Sequence, residues 1–217
     1  MRAIVLPVKS LEATKARLAA ALGPLERAAL TLAMLEDVLD ASLAVPGWAT
    51  WVVSPDEAVL EVARARGAHI IVEDEPPLAA AIRQAEAEAL GRGADASAVL
   101  LPDTPLLTPA ALTRALHVLC PVVVAPSTDR RGTNLLVRRP PTSIQACFGP
   151  DSFRRHRAAA AERGLPVAVV ESPELAFDLD VPDDILTVLR DTRPTRTRAV
   201  LSELRIDERM SARTGGA

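Results

Sequence analysis

Short apolar runs recur along the whole chain, and longer stretches with apolar residues at helical spacing lie between them. The runs are continuous rather than alternating, which is typical of strands buried on both faces and therefore of a mainly parallel sheet. We predict strands at 3–8, 50–54, 69–73, 98–102, 121–127, 133–138 and 166–172. The helical periods predict helices at about 25–44, 56–66, 77–91, 109–118, 151–163 and 182–190.

This alternation predicts a three-layer α/β domain with right-handed crossovers. The strand at 133–138 follows a turn that contains Gly132, and it is the candidate antiparallel strand of the sheet. Apolar residues make up 49% of the 217 and aromatic residues only 2%, so Ala, Val, Leu and Ile must fill the core. Because the chain becomes polar and rich in Arg and Thr near its end, we expect one domain at 1–190 and a loosely held tail at 191–217.

Charge and cysteine content narrow the class of protein. A net charge of −3 argues against a sequence-independent nucleic-acid binder, which needs a basic face. No apolar run approaches the roughly 18 residues that span a membrane, and the first run is too soon interrupted to be a signal peptide. Cys120 and Cys147 lack the spacing of metal ligands. We therefore expect a cytoplasmic protein with reduced thiols.

Both lysines of the chain lie in the segment that follows the first predicted strand. Ligands of open α/β sheets bind at the carboxyl ends of the strands, so this segment is a candidate wall of a site. Lysine is a compact charge on a flexible stem, whereas arginine favours fixed bidentate geometry. We predict that Lys9, Lys15 and Arg17 contact a triphosphate and its leaving pyrophosphate. The alternative is that the two lysines occur by chance on a solvated loop.

Three aspartates are candidate metal ligands. Asp103 follows a buried strand, and Asp178 and Asp180 have the spacing that directs both side chains to one face of an extended segment. Like charges directed together are unfavourable unless a cation lies between them, and Mg²⁺ prefers carboxylates, water and substrate phosphates. We predict Mg²⁺ at Asp103, Asp178 and Asp180. The alternative for Asp103 is an ordinary turn residue, although Thr108 and Pro109 already suit the start of the next helix.

Two glycine-containing turns are candidate anion sites. Thr133 follows Gly132 and offers both a backbone N–H and a hydroxyl. Gly149 and Ser152 lie where a loop enters a helix, and the free N–H groups of a helix start favour a phosphate or carboxylate. The alternative for Ser152 is a simple helix cap. We expect His156, one turn later, to lie behind the site or on the surface.

Common signatures of other sites are missing from the sequence. There is no P-loop, no Gly-x-Gly-x-x-Gly fingerprint, no Gly-x-Ser-x-Gly and no cluster of histidines. Cations after the first strand and carboxylates after later strands are instead typical of a site for phosphates and a metal ion.

These segments together resemble the 2-phospho-L-lactate guanylyltransferases and their relatives that act on phosphoenolpyruvate, in the biosynthesis of coenzyme F-420. Five motifs between residue 6 and about 185 carry the resemblance: LPVKSLEATKARLA, LLPDTPLLTP, RRGTNLLVRRPP, FGPDSFRRHRAAAAERGL and FDLDVPDDIL. The resemblance implies a nucleotidyltransferase fold, of the nucleotide-diphospho-sugar transferase type, with a mostly parallel mixed sheet. It also implies a cytoplasmic, Mg²⁺-dependent enzyme that moves GMP from GTP to a phosphorylated three-carbon acid and releases pyrophosphate.

The resemblance also implies roles for the candidate residues. The triphosphate would contact Lys9, Lys15 and Arg17, and Mg²⁺ would bind Asp103, Asp178 and Asp180. The phosphorylated acid would bind Thr133, Gly149 and Ser152. The downstream transferase that takes the product to a deazaflavin is the candidate partner.

One segment departs from the family pattern. Relatives carry a Gly-Leu-Asn-Ala-Ala-like segment before the third helix, where the base is recognised, and this chain has EDEPPLAAAIRQA at 73–85. Asp103-Thr104-Pro105 also stands where Asp-Leu-Pro is usual. Two alternatives remain: a nucleotidyltransferase with another acceptor, of the sugar phosphate or molybdopterin type, and a non-catalytic relative that binds a nucleotide, which the altered segment favours. The acid itself is left open between phosphoenolpyruvate, 2-phospho-L-lactate and 3-phosphoglycerate, with composition weakly favouring the first.

Overall fold

A computed structural model describes residues 1–74, 77–206 and 208–209 of the chain. Its strands are β1 (Arg2–Pro7), β2 (Trp48–Ser54), β3 (His69–Val72), β4 (Ala96–Leu100), β5 (Val122–Pro126), β6 (Thr133–Arg138) and β7 (Val167–Val169). Its α-helices are α1 (Pro24–Leu43), α2 (Glu57–Ala65), α3 (Leu78–Gly91), α4 (Pro109–Leu116), α5 (Ser152–Glu162), α6 (Pro173–Ala176), α7 (Pro182–Arg190) and α8 (Arg196–Glu203). Two 3₁₀ helices, Leu11–Ala13 and Ala16–Ala20, connect β1 to α1. Every predicted strand and helix is present, whereas α6 and α8 were not predicted.

The strands form one seven-stranded sheet in the order β3-β2-β1-β4-β6-β5-β7. β6 runs antiparallel to β4 and β5, and the other neighbours pair in parallel. The turn before β6 requires a glycine: the N–H of Gly132 donates to Ser127 Oγ at 2.8 Å, and a Cβ at Gly132 would lie 2.8 Å from that oxygen. The mostly parallel mixed sheet and its antiparallel strand are therefore confirmed.

Both faces of the sheet are buried, because successive residues of a strand pack on opposite layers. In β1, Ile4 and Leu6 pack with residues of α1, α2 and α4, whereas Val5 packs with residues of α3. At the other end of the sheet, Leu136 of β6 packs with Phe153 of α5. Burial of such apolar area, at about 25 cal/mol per Å², holds the predicted three-layer architecture together.

The segment that follows α7, which was predicted to be a loosely held tail, packs on the domain through α8. Asp37 of α1 accepts hydrogen bonds from the N–H of Arg196 at 2.9 Å and from the N–H and hydroxyl of Thr197 at 2.9 and 2.6 Å. Leu201 of α8 is fully buried in a cluster with residues of α1 and α7. The first turn of α8 is thus fixed to α1 by Asp37. The end of the expected tail, from residue 210, lies outside the described residues.

Three separate segments meet at one edge of the sheet. β1 and β4 are parallel neighbours, so the loops that leave their carboxyl ends lie side by side. The segment that precedes α7 joins them, because the N–H of Leu179 donates to the carbonyl of Asp103 at 3.0 Å. This edge carries the candidate site.

Candidate active site

A cavity of about 380 Å³ opens at the carboxyl ends of β1 and β4. The connection between β1 and α1, the first residue of α3, the loop after β4 and the segment before α7 supply its walls. The charged residues that line it are Lys9, Lys15, Arg17, Asp103 and Asp180. The structure therefore brings the predicted phosphate-binding cations together with two of the three predicted metal ligands.

Lys15 lies between two of the aspartates. Its Nζ is 2.9 Å from Asp103 Oδ2 and 2.7 Å from Asp180 Oδ1, and its side chain is only 9% exposed. Burial acts to lower the pKa of Lys15, but the charges and hydrogen bonds of the two carboxylates outweigh it and the pKa is raised. Lys15 is thus a fixed ammonium ion, and it supplies the cation that a cluster of carboxylates requires.

The backbone at Lys15 adopts the left-handed conformation, with φ 48° and ψ 43°, between the two 3₁₀ helices. A side chain is seldom found there without a compensating interaction. The carbonyl of Lys15 accepts the N–H of Leu18, which is fully buried. The two ion pairs and this anchored turn together direct the ammonium into the site.

The third aspartate, Asp178, lies close enough to Asp103 and Asp180 for their charges to shift its pKa. Burial, followed by the negative charges of Asp103 and Asp180, raises the pKa of Asp178 to about 6. Asp103 Oδ1 is buried and finds no hydrogen-bond partner among the residues that the structure describes. A hard divalent cation fits this donor set, since it would use the free oxygen and relieve the repulsion. The described residues nevertheless contain no group of three His, Cys, Asp or Glu side chains already arranged to hold a metal.

The other two predicted phosphate ligands lie at the mouth of the cavity. Lys9 is exposed, and its charge acts on Glu73, although burial dominates and the pKa of Glu73 is raised. Arg17 is also exposed, with Nη1 3.7 Å from Asp180 Oδ2. Both side chains have the freedom to follow a flexible anion, unlike Lys15.

The predicted acid-binding residues lie outside the cavity walls, around the start of α5. The N–H of Ser152 donates to the carbonyl of Gly149 at 3.1 Å, and Gly149 has a φ of +109° that favours glycine. Ser152 and Thr133 are 2% and 1% exposed. The structure thus brings Gly149 and Ser152 together on one turn. Thr133 joins them indirectly, through a hydrogen bond to His156 of α5.

His156 was expected either behind the site or on the surface, and the structure selects the first of these positions. It is fully buried, with Nδ1 3.0 Å from Thr133 Oγ1 and Nε2 2.7 Å from the backbone nitrogen of Cys147. Burial, followed by the charges of Arg138 and Arg155, lowers the pKa of His156 to about 3. The signal was available, because His156 follows Ser152 at i+4 and therefore lies on the same face of the helix.

A buried ion pair behind the site was not predicted. The guanidinium of Arg138 in β6 pairs with Glu86 of α3 and donates to the carbonyl of Ile144 at 2.9 Å. Ser97 of β4 accepts from Arg138 at 3.3 Å. Burial lowers the pKa of Arg138 to about 10, so the group remains charged at neutral pH. The pair joins α3, two strands and the loop that leads to Gly149.

The segment that departs from the family pattern reaches the cavity only in part. Leu78, the first residue of α3, lines it. Gln84 fixes the preceding strand end, since its Nε2 donates to the carbonyl of Val72 at 2.9 Å and its Oε1 accepts the N–H of Asp74 at 3.1 Å. Residues 75 and 76 lie outside the described residues. In the described remainder of 73–85, Leu78 is the residue that lines the cavity.

Comparisons with known proteins agree with the motif resemblance. A phosphoenolpyruvate guanylyltransferase of Rubrobacter xylanophilus is 44% identical over 185 residues, covering 83% of this chain and 90% of that protein. A 3-phospho-D-glycerate guanylyltransferase of Phenylobacterium zucineum is 40% identical, covering 94% and 97%. A putative nucleotide-diphospho-sugar transferase from Desulfovibrio desulfuricans G20 has the same fold, with a TM-score of 0.78 at 18% identity over 93% of this chain and 94% of that one.

Among the described residues, no helix has both the length and the apolar content needed to cross a membrane. The nucleotidyltransferase fold that the resemblance implied is confirmed by the sheet and by the structural neighbour. A family model described as "Guanylyl transferase CofC like" matches residues 1–216. The chain therefore belongs to the CofC-like guanylyl transferase family, a family of nucleotidyltransferase enzymes.

Proposed function

We propose that this protein transfers GMP from GTP to a phosphorylated three-carbon acid and releases pyrophosphate. The single observation that carries the proposal is the meeting of Lys15 with Asp103 and Asp180 on the cavity at the carboxyl ends of β1 and β4. The family membership and the relatives' names support the same activity.

The reaction joins two anions. A phosphate oxygen of the acid attacks the α-phosphorus of GTP, the bond to the bridging oxygen of the β-phosphate breaks, and that oxygen leaves with pyrophosphate. No side chain needs to remove a proton, because the attacking phosphate is already ionised at neutral pH. The protein therefore contributes charge neutralisation and in-line positioning. Lys9 and Arg17 at the cavity mouth would contact the triphosphate, and Lys15 would keep positive charge at the carboxylates.

We propose Mg²⁺ as the cofactor, held by Asp103, Asp178 and Asp180. The free oxygen of Asp103 and the mutual repulsion at Asp178 support this choice. When bound, the ion would neutralise charge on the reacting phosphates. Lys15 already offsets part of the negative charge of the cluster, so the carboxylates are oriented before a ligand arrives.

We propose phosphoenolpyruvate as the acid, with 3-phospho-D-glycerate and 2-phospho-L-lactate as the alternatives. A relative named for phosphoenolpyruvate has the higher identity, and one named for 3-phospho-D-glycerate covers more of the chain. Thr133, Gly149 and Ser152 would bind the acid. A cytoplasmic place in coenzyme F-420 biosynthesis, with a deazaflavin-accepting transferase as the next enzyme, completes the proposal.

The test is release of pyrophosphate from each of GTP, ATP, CTP and UTP, with each acid and Mg²⁺, followed by mass spectrometry of the product. The assay is repeated with a deazaflavin-accepting transferase present, which consumes an unstable product. GTP with one acid should give pyrophosphate and a GMP adduct of that acid. Nucleotide binding without release for any acid would favour another acceptor. The absence of nucleotide binding would contradict the proposal.

A further inference from the structure

His156 connects two segments of the proposed acid site without lining the cavity. Thr133 begins β6, and Cys147 lies in the loop that leads to Gly149. The imidazole bridges the two, with contacts of 3.0 Å to Thr133 Oγ1 and 2.7 Å to the backbone nitrogen of Cys147. The Phe148 ring packs against it in a T-shaped arrangement, with ring centroids 5.1 Å apart. The ring is therefore held on several sides.

The Cys147 contact determines the tautomer of the imidazole. A backbone N–H only donates, so Nε2 of His156 must accept and carries no proton. A neutral imidazole with a bare Nε2 has its proton on Nδ1. Nδ1–H therefore donates to Thr133 Oγ1. An imidazolium ion would place a second donor against the Cys147 N–H, and complete burial next to two arginines opposes that form.

This tautomer leaves the hydroxyl proton of Thr133 available. Because the hydroxyl oxygen accepts from Nδ1–H, its own proton is not used on the ring. No acceptor for that proton occurs among the residues that the structure describes. Thr133 is 1% exposed, so the acid reaches this proton only if the segments around Thr133 move apart when the acid binds. A buried hydroxyl in this state gains stability when a ligand oxygen accepts its proton.

We propose that His156 is a positioning residue of the acid site, which holds the Cys147 loop against β6 and makes the Thr133 hydroxyl a hydrogen-bond donor to an anionic oxygen of the phosphorylated acid. This inference rests on the proposed function. The imidazole does not touch the acid and transfers no proton. Its effect is confined to the geometry of Thr133 and of the turn that carries Gly149 and Ser152.

The first arm of the test is ¹⁵N NMR of the imidazole rings in the substrate-free protein. His69→Gln and His117→Gln assign the other two histidines, both of which are exposed. The remaining signal should show a neutral ring protonated on Nδ1 between pH 5 and 8. A ring protonated on Nε2, or a ring that becomes charged in this range, would overturn the proposal.

The second arm separates positioning from packing by steady-state kinetics. His156→Phe keeps the shape and loses both hydrogen bonds, so the KM for the acid should rise by about tenfold or more while the KM for GTP stays within about twofold. His156→Gln should recover part of the loss, because its amide both accepts and donates. A packing role predicts the reverse order of the two variants. His117→Phe, at an exposed position, is the matched control and should behave as wild type.

Thr133→Val keeps the experiment decisive if His156→Phe does not fold. It removes the hydroxyl at nearly constant shape, so it should raise the KM for the acid by itself, and His156→Gln should add little to it. An unchanged KM for the acid in Thr133→Val would overturn the inference and remove Thr133 from the acid site, while leaving the proposed transfer of GMP intact. A folded wild-type protein without acid-dependent pyrophosphate release would count against both, whatever the NMR result.

Discussion

The ammonium of Lys15 lies 2.7 Å from a carboxylate oxygen of Asp180, although 165 positions separate the two residues in the sequence. This contact joins the connection after β1 to the segment before α7 at the cavity beside the carboxyl ends of β1 and β4. The protein thus balances part of the charge of its own carboxylates before any ligand binds. Lys15 differs in this respect from Lys9, which is exposed on the same cavity.

Lys15→Met should lower the free energy of unfolding by roughly 2 kcal/mol, because it leaves two carboxylates without their shared cation. The loss should be below that of a fully buried pair, since Asp180 is 39% exposed. Urea denaturation at pH 7 measures the change. Lys9→Met, which removes the chain's other lysine from an exposed position, should change stability by less than about 0.5 kcal/mol. Equal losses in both variants would contradict the structural role of Lys15.

Asp103→Asn should reduce kcat/KM by about 10²-fold or more, because it removes charge from the carboxylate cluster that, in the proposed function, would face the reacting phosphates. The thermal midpoint of the variant, measured in parallel, shows whether the fold is intact. Asp183→Asn is the matched control, since Asp183 is exposed on the first turn of α7, and it should keep wild-type activity. Unchanged turnover in a folded Asp103→Asn protein would exclude a role for Asp103 in the reaction.

His156 should make the protein sensitive to acid. Its pKa is lowered to about 3 in the fold, against about 6.5 in the unfolded chain, so the unfolded state binds more protons between these values. Stability should therefore be unaffected by His156 above pH 6.5 and fall below it, with a slope of at most about 1.4 kcal/mol per pH unit. His156→Gln should remove this contribution, whereas His117→Gln should retain it. Urea denaturation at a series of pH values from 5 to 7.5 gives the slope of unfolding free energy against pH for each protein.

Glu86→Leu should destabilise the fold by about 3 kcal/mol, because Arg138 would keep a buried charge without a partner. Combining it with Arg138→Met should restore part of the loss. Glu88→Leu is the control on the same helix: Glu88 pairs with Arg92 at the surface, and that pair should contribute less than about 0.5 kcal/mol. Denaturant unfolding measures all four proteins. Similar losses of unfolding free energy in Glu86→Leu and Glu88→Leu would show that burial of the Glu86–Arg138 pair has no energetic consequence.

Much of the fold was predictable because the strands are buried on both faces. Such strands are continuous apolar runs, which stand out from the Ala-rich helices between them. Gly132 also identified the antiparallel strand, since its turn has no room for a side chain. α8 was not predictable in this way, because its polar residues are satisfied by Asp37 of a distant helix, and local sequence does not carry that pairing.

It was possible to predict from the sequence which strand ends meet at the site, but not which charged side chains pair with each other there. Lys15 was expected to face a phosphate, and in the structure its ammonium binds two aspartates. The left-handed turn at Lys15 and the approach of two distant segments bring these groups together, and neither is visible in composition or spacing. His156 lies on a helix rich in arginine, and only its i+4 spacing from Ser152 indicated the helix face that the structure shows to be buried.

The attachment of α8 to Asp37 has a consequence for any attempt to shorten the chain. Leu201 of α8 packs in one cluster with Leu18, which belongs to the 3₁₀ helix that immediately follows Lys15. A protein truncated after residue 190 would therefore lose part of the packing that supports the turn carrying Lys15 and Arg17, although α8 itself does not line the cavity. The smallest active fragment should extend through α8. A fusion partner should therefore be attached after α8 and should not replace it.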